Sequence, residues 1–150
     1  MNYKLITDSG CDSDEELKKN KNFHQIPLSI YIGDSEFLDD DQLNVLELLD
    51  KMQNCPEAPS TASPSPCAFL EKYDGEESVF VVTLSAKLSS TFNHAVMAKK
   101  MYLQEKKKKF IHIFDSMSAS VGETLVSMKI LELIKENKPE TVIVEKVNQY

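Results

Sequence analysis

Apolar positions along the chain follow two alternating rhythms. Four short runs rich in β-branched or aromatic residues, at 3–7, 26–32, 79–83 and 110–114, are too short for independent helices and predict strands. Three of them are nearly continuously apolar, the pattern of parallel strands buried on both faces. Helical spacing fills the segments between. Asp12-Ser13-Asp14 opens a short polar helix towards Asn20, and further helices are predicted over 44–52, 66–73, 88–103 and 118–135. In the helix over 88–103, Leu88, Phe92, Ala95, Val96 and Leu103 share a face; over 118–135, Val121, Leu125, Met128 and Leu131 do. The alternation of strand and helix predicts a layered α/β/α fold with a mostly parallel sheet and right-handed crossovers.

Two segments are less direct. Residues 141–147 are β-branched, which suits a strand. Pro139 followed by Glu140 is, however, a good helix start, and Val142, Ile143, Val147 and Tyr150 fit one helical face, so a helix over 140–150 is expected. Segment 55–67 carries four prolines and no regular period. It reads as an ordered loop, stiffened by proline, rather than a disordered linker. No internal repeat is visible, and 1–150 reads as a single α/β domain.

Composition narrows the function classes. The chain has 150 residues, 41% apolar and 27% charged, enough for a core of its own. A net charge of −7 argues against nucleic acid as a partner and against broad attraction to anionic membranes. The basic run Lys106-Lys107-Lys108-Lys109 reads as a solvated turn. Cys11, Cys55 and Cys67 form no CxxC pair, which points to free thiols in a reducing cytoplasm rather than a disulfide framework or zinc site. Met1-Asn2-Tyr3-Lys4 runs straight into a strand pattern, with no signal-peptide character, and no apolar run approaches the ~20 residues of a membrane span.

Candidate chemistry gathers where strands end, since parallel sheets bind ligands beyond the carboxyl ends of their strands. The first run ends Thr7-Asp8-Ser9-Gly10, the third Thr83-Leu84-Ser85, the fourth Phe114-Asp115-Ser116-Met117-Ser118. The proline-rich segment adds Ser60, Thr61, Ser63 and Ser65. If the sheet is parallel, these hydroxyls and carboxylates converge on one rim. Ser89-Ser90-Thr91, at the start of the long helix, combines hydroxyls with free backbone N–H groups and suits a carboxylate or phosphate. Simple N-capping by Ser89 or Ser90 explains the same residues.

Other chemistries fit less well. The glycines at 10, 33, 75 and 122 build neither GxGxxG nor a P-loop, and there is no GxSxG elbow. His24, His94 and His112 lack metal spacing; His112 reads as a structural strand residue and His94 as surface or packing. Asp8 follows a strand as a phosphoryl-accepting aspartate would, which keeps a small-molecule phosphatase open, but no second acid stands two residues on. A protein-interaction domain is also open. Asp39-Asp40-Asp41 reads as an exposed turn rather than a cation site.

Five segments together resemble the DegV family. Leu5-Ile6-Thr7-Asp8-Ser9 is similar to its opening strand. Ile26-Pro27-Leu28 with Gly33-Asp34 and Phe37-Leu38-Asp39-Asp40 resembles its second strand and acidic turn. Ser60-Thr61-Ala62-Ser63-Pro64-Ser65-Pro66 resembles a Thr-Ser-Gln-Pro-Ser-Pro loop, and Leu88-Ser89-Ser90-Thr91-Phe92 a Leu-Ser-Gly-Thr-Tyr helix start. Residues 115–122 resemble an Asp-Ser-Arg-Ser-Ala-Ser-Leu-Gly motif. The resemblance implies the amino-terminal domain of a two-domain lipid carrier, with 138–150 leading into the absent second domain. It implies a long-chain fatty acid as ligand, no cofactor or metal, and no catalysis by this chain alone. A separate ATP-binding fatty acid kinase subunit would be the partner, membrane contact would be transient and the full-length protein monomeric. Thr61, Ser89 and Ser90 match the positions that hold the carboxylate, with Asp8, Ser9, Ser63, Asp115 and Ser116 as further rim candidates. Ala62, Ser63, Cys67, Ser90 and Met117 depart from the family pattern, and Ser90 replaces a glycine.

Overall fold

The computed structural model describes residues 1–105 and 108–150, so half of the basic run at 106–109 lies outside the described residues. In chain order the elements are β1 (Tyr3–Asp8), α1 (Glu15–Lys19), β2 (Phe23–Ile26), β3 (Ser29–Ile32), β4 (Ser35–Leu38), α2 (Val45–Asn54) and β5 (Ser60–Ala62). There follow α3 (Pro66–Tyr73), β6 (Ser78–Thr83), α4 (Thr91–Glu105), β7 (Ile111–Asp115), α5 (Val121–Lys135) and α6 (Glu140–Asn148). Four strands form a parallel sheet in the order β2-β1-β6-β7. A smaller antiparallel sheet has the order β4-β3-β5.

The main sheet is buried on both faces because its central strands carry consecutive apolar residues, Leu5-Ile6 and Val79 to Val82, whose side chains alternate sides. Leu5, Phe80, Val82 and Phe114 pack against Ile130, Leu133, Ile134, Ile143 and Val147 from α5 and α6. Ile6, Val79, Val81 and Ile111 face the other way, against Phe69 and Tyr73 of α3 and Ala95, Ala98 and Tyr102 of α4. This is the α/β/α layering that the alternation predicts.

Four expectations need correction. Segment 26–32 is two strands, not one: Ile26 ends β2 in the parallel sheet and Ser29 begins β3 in the other. Pro27 has no N–H to continue a ladder, so the chain changes sheets there. Segment 55–67 is ordered, yet contains β5, whose Thr61 is registered opposite Ile30. α4 begins at Thr91 rather than 88, and turns inward the small residues Ala95 and Ala98 with Thr91 and Tyr102, leaving Leu88 and Leu103 exposed. In α5, which starts at Val121 and not 118, the expected apolar face is largely outside: Val121, Leu125 and Met128 are exposed, Leu131 alone being buried. Its inward face starts with Glu123, Thr124 and Ser127, because its first turns cover the polar ends of the strands. A hydrophobicity count therefore selects the wrong side. The helical reading of α6 agrees with the structure, its first turn following Pro139.

Candidate functional site

The carboxyl ends of β1, β6 and β7 lie side by side in the parallel sheet, so the loops after Asp8, Thr83 and Asp115 emerge together. The two carboxylates fasten these loops to one another. Asp8 is buried and accepts from the Gly10 N–H (2.9 Å) and the Leu84 N–H (2.8 Å). Asp115 accepts from the Ala86 N–H (3.1 Å) and the Met117 N–H (2.9 Å). Ser9 accepts from the Leu28 N–H (3.0 Å), joining the β1 exit to the β2–β3 crossing, and Ser116 bonds within its own loop to Ser118. These four rim candidates hold the frame. A Cβ on Gly10 would stand 2.9 Å from both the Asp8 carboxylate and the Leu84 side chain, so only glycine fits this clamp.

The remaining candidates line an open pocket of about 360 Å³, bounded by Leu28, Thr61, Ala62, Ser63, Leu84, Leu88, Ser89 and Ser90. Thr61 and Ser63 arrive on and just after β5, from the small sheet; Ser89 and Ser90 arrive on the loop into α4, from the large one. The Ser63 and Ser90 hydroxyls meet at 2.7 Å across this junction. Ser89 Oγ pairs with Thr91 Oγ1 (2.8 Å) and accepts from the Thr91 N–H (3.3 Å). Ser90 immediately precedes α4, the capping position, but its hydroxyl goes to Ser63 rather than to the helix.

His94, read from sequence as surface or packing, belongs to this site. Its Nδ1 lies 2.9 Å from the Pro64 carbonyl oxygen and 3.2 Å from Ser63 Oγ. It stands four residues after Ser90, one helical turn, and that spacing is the signal that could have marked it. His112 is a structural residue as expected: it sits on β7, stacked near Phe110 and edge-on to Phe114, and burial lowers its proton affinity.

Behind the pocket the fold encloses the acid groups Asp8 and Glu123, neither of which has an ion-pair partner among the described residues. Burial outweighs the Leu84 and Gly10 donors and raises the Asp8 carboxyl to about 6. Glu123 is fully buried, both its oxygens lack hydrogen-bond partners among the described residues, and burial, followed by the Asp8 charge, raises it to about 9. Glu123 is therefore protonated at neutral pH. Burial also lifts the Cys11 thiol to about 11, leaving it inert as a nucleophile. Asp39, Asp40 and Asp41 form a turn in which Asp40 accepts from the Gln42 N–H at 2.9 Å, and no cluster among the described residues has the grouping of a metal site.

A parallel α/β domain with a hydroxyl-lined, partly apolar pocket at the carboxyl edge of its sheet is the class this geometry defines. The chain belongs to the DegV family, whose model, described as "Uncharacterised protein, DegV family", matches residues 2–150. It is 36% identical to a DegV domain-containing protein of Streptococcus gordonii over 152 aligned residues, covering all of this chain and 54% of that protein. Among solved structures, a DegV family protein of Ruminococcus gnavus refined with vaccenic acid superposes with a TM-score of 0.96 at 40% identity, covering 100% of this chain and 54% of that one. The Streptococcus pneumoniae fatty acid kinase B3 protein, loaded with linoleic acid, gives 0.90 at 34% identity, with 100% and 54% covered. The chain thus spans about half the length of the relatives it matches.

Proposed function

We propose that this chain is the carboxylate-holding half of a fatty-acid carrier. The single observation that carries the reading is the pocket in which Thr61, Ser63, Ser89 and Ser90 stand beside Leu28, Leu84 and Leu88. Hydroxyls donate to a carboxylate, and the leucines receive the first carbons of the acyl tail. Each sequestered CH₂ contributes ~0.8 kcal/mol, so a long tail supplies most of the affinity while the hydroxyls fix orientation. Relatives named as holding vaccenic and linoleic acids support this assignment. In the full-length protein the remaining half would close over the tail. The relative named as a fatty acid kinase B protein supports presentation of the carboxyl group to a separate kinase subunit, which would bring the ATP.

No residue here is proposed to catalyse. The phosphatase alternative required an accessible Asp8, and that carboxylate is buried and engaged by two backbone donors. The carrier reading is tested by mass spectrometry of lipid extracted from a full-length version purified from bacteria. Stoichiometric long-chain fatty acid is expected, and a protein recovered without any would refute it.

A further inference from the structure

Ser63, which lines the pocket, is in turn bonded to a histidine whose hydrogen bonds have a defined direction. His94 Nδ1 faces two oxygens, the Pro64 carbonyl at 2.9 Å and Ser63 Oγ at 3.2 Å. A carbonyl oxygen can only accept, so Nδ1 carries the proton and donates. Ser63 Oγ shares that proton as an acceptor, which frees its own O–H to donate to Ser90 Oγ at 2.7 Å. Ser90 Oγ is then an acceptor too, and its O–H is free to point into the pocket it lines. Donor chains of this kind polarise one another, each bond strengthening the next.

We infer that His94 is a positioning residue of the pocket: its Nδ1–H sets the polarity of a chain through Ser63 to Ser90, so that Ser90 presents a proton to a bound carboxylate. The inference rests on the carrier reading for the identity of the ligand, but not for the geometry of the chain. The arrangement also excludes Ser63 and His94 as a hydrolytic pair, because a donating Nδ1 cannot take the proton of Ser63.

Two measurements decide this. Long-range ¹H–¹⁵N correlation on the ligand-free chain, at a pH where the ring is neutral, should show the Nδ1–H tautomer at His94; the Nε2–H tautomer would overturn the inference whatever the ligand proves to be. Oleate affinity is then compared for the full-length parent, His94→Ala and His94→Asn. His94→Ala should bind up to about tenfold more weakly. His94→Asn, whose side-chain amide can place an N–H where Nδ1–H stands, should stay within about threefold of the parent. Unchanged binding in His94→Ala, or a loss in His94→Asn as large as in His94→Ala, would sink it. If even the parent binds no oleate, the carrier reading fails and the tautomer alone decides the role of His94.

Discussion

The two sheets of this molecule are built on opposite terms. The parallel sheet is closed on both sides: Leu5, Ile6 and every residue from Val79 to Val82 are fully buried, between α3 and α4 on one face and α5 and α6 on the other. The antiparallel sheet has no comparable cover. In β4, Glu36 and Leu38 are exposed, and α2, which follows, buries none of its residues although Val45, Leu46, Leu49 and Met52 are apolar. The first region supports itself, whereas the second is held by its ladders and by its attachment to the first. The candidate pocket lies where the two meet.

This contrast can be tested at both ends. Phe80→Ala, in the centre of the closed sheet, should destabilise the chain by about 3–5 kcal/mol in a denaturant titration, the usual cost of truncating a buried phenylalanine. A change under about 1 kcal/mol would contradict the assignment of the core to this sheet.

Next in size is the buried acid behind the pocket. Glu123 releases its proton near 4.5 in the unfolded chain and only at about 9 in the fold. Between these values the native state keeps a proton that the unfolded state has lost, so stability falls as pH rises from about 4.5 towards about 9. Asp8 contributes a smaller total loss of the same sign, over the narrower window between 3.8 and about 6. Glu123→Gln should remove the larger loss: close to the parent in stability at the acidic end, and more stable on the order of a few kcal/mol at the alkaline end. Denaturation midpoints across that range that run parallel for the two proteins would show that Glu123 is not the buried proton carrier.

Smaller effects are expected at the junction and in the open region. Ser89→Ala should leave the fold intact while weakening fatty-acid retention by about 1 kcal/mol, near fivefold, in a competition assay. Unchanged retention would remove Ser89 from the carboxylate's partners. Leu49→Lys on α2 should shift the denaturation midpoint by no more than about 0.5 kcal/mol equivalent. A large loss there would mean that α2 is packed after all.

How much of this was legible in the sequence follows the same division. The closed region was easy to read because apolar runs such as Val79 to Val82 mean the same thing in any context. The open region was not: Ser60, Thr61 and Ala62 form a strand only because β3 offers an edge, and nothing local to a proline-rich segment signals that partner. The faces of α4 and α5 were misassigned for a related reason. Ala95, Ala98, Glu123 and Ser127 point inward because of what the sheet presents to them, and a scale that rewards large apolar residues looks elsewhere. In the site, Ser63, Ser89 and Ser90 stood out as hydroxyls, whereas His94 did not, because its meaning lies in a carbonyl oxygen thirty residues away.

Pro27 and Leu28 are the whole of the step between β2 and β3, and they carry a mechanical consequence. Thr61 rides on the small sheet, while Ser89 and Ser90 stand on the loop that leaves the large one, so the pocket is a seam between two sheets tied at two places: Pro27-Leu28, and residues 63–65 between β5 and α3. The Leu28 N–H donates to the Ser9 hydroxyl and fastens the first tie to the β1 exit. Ser63 belongs to the second tie, so its bond to Ser90 is itself one of the stitches of the seam.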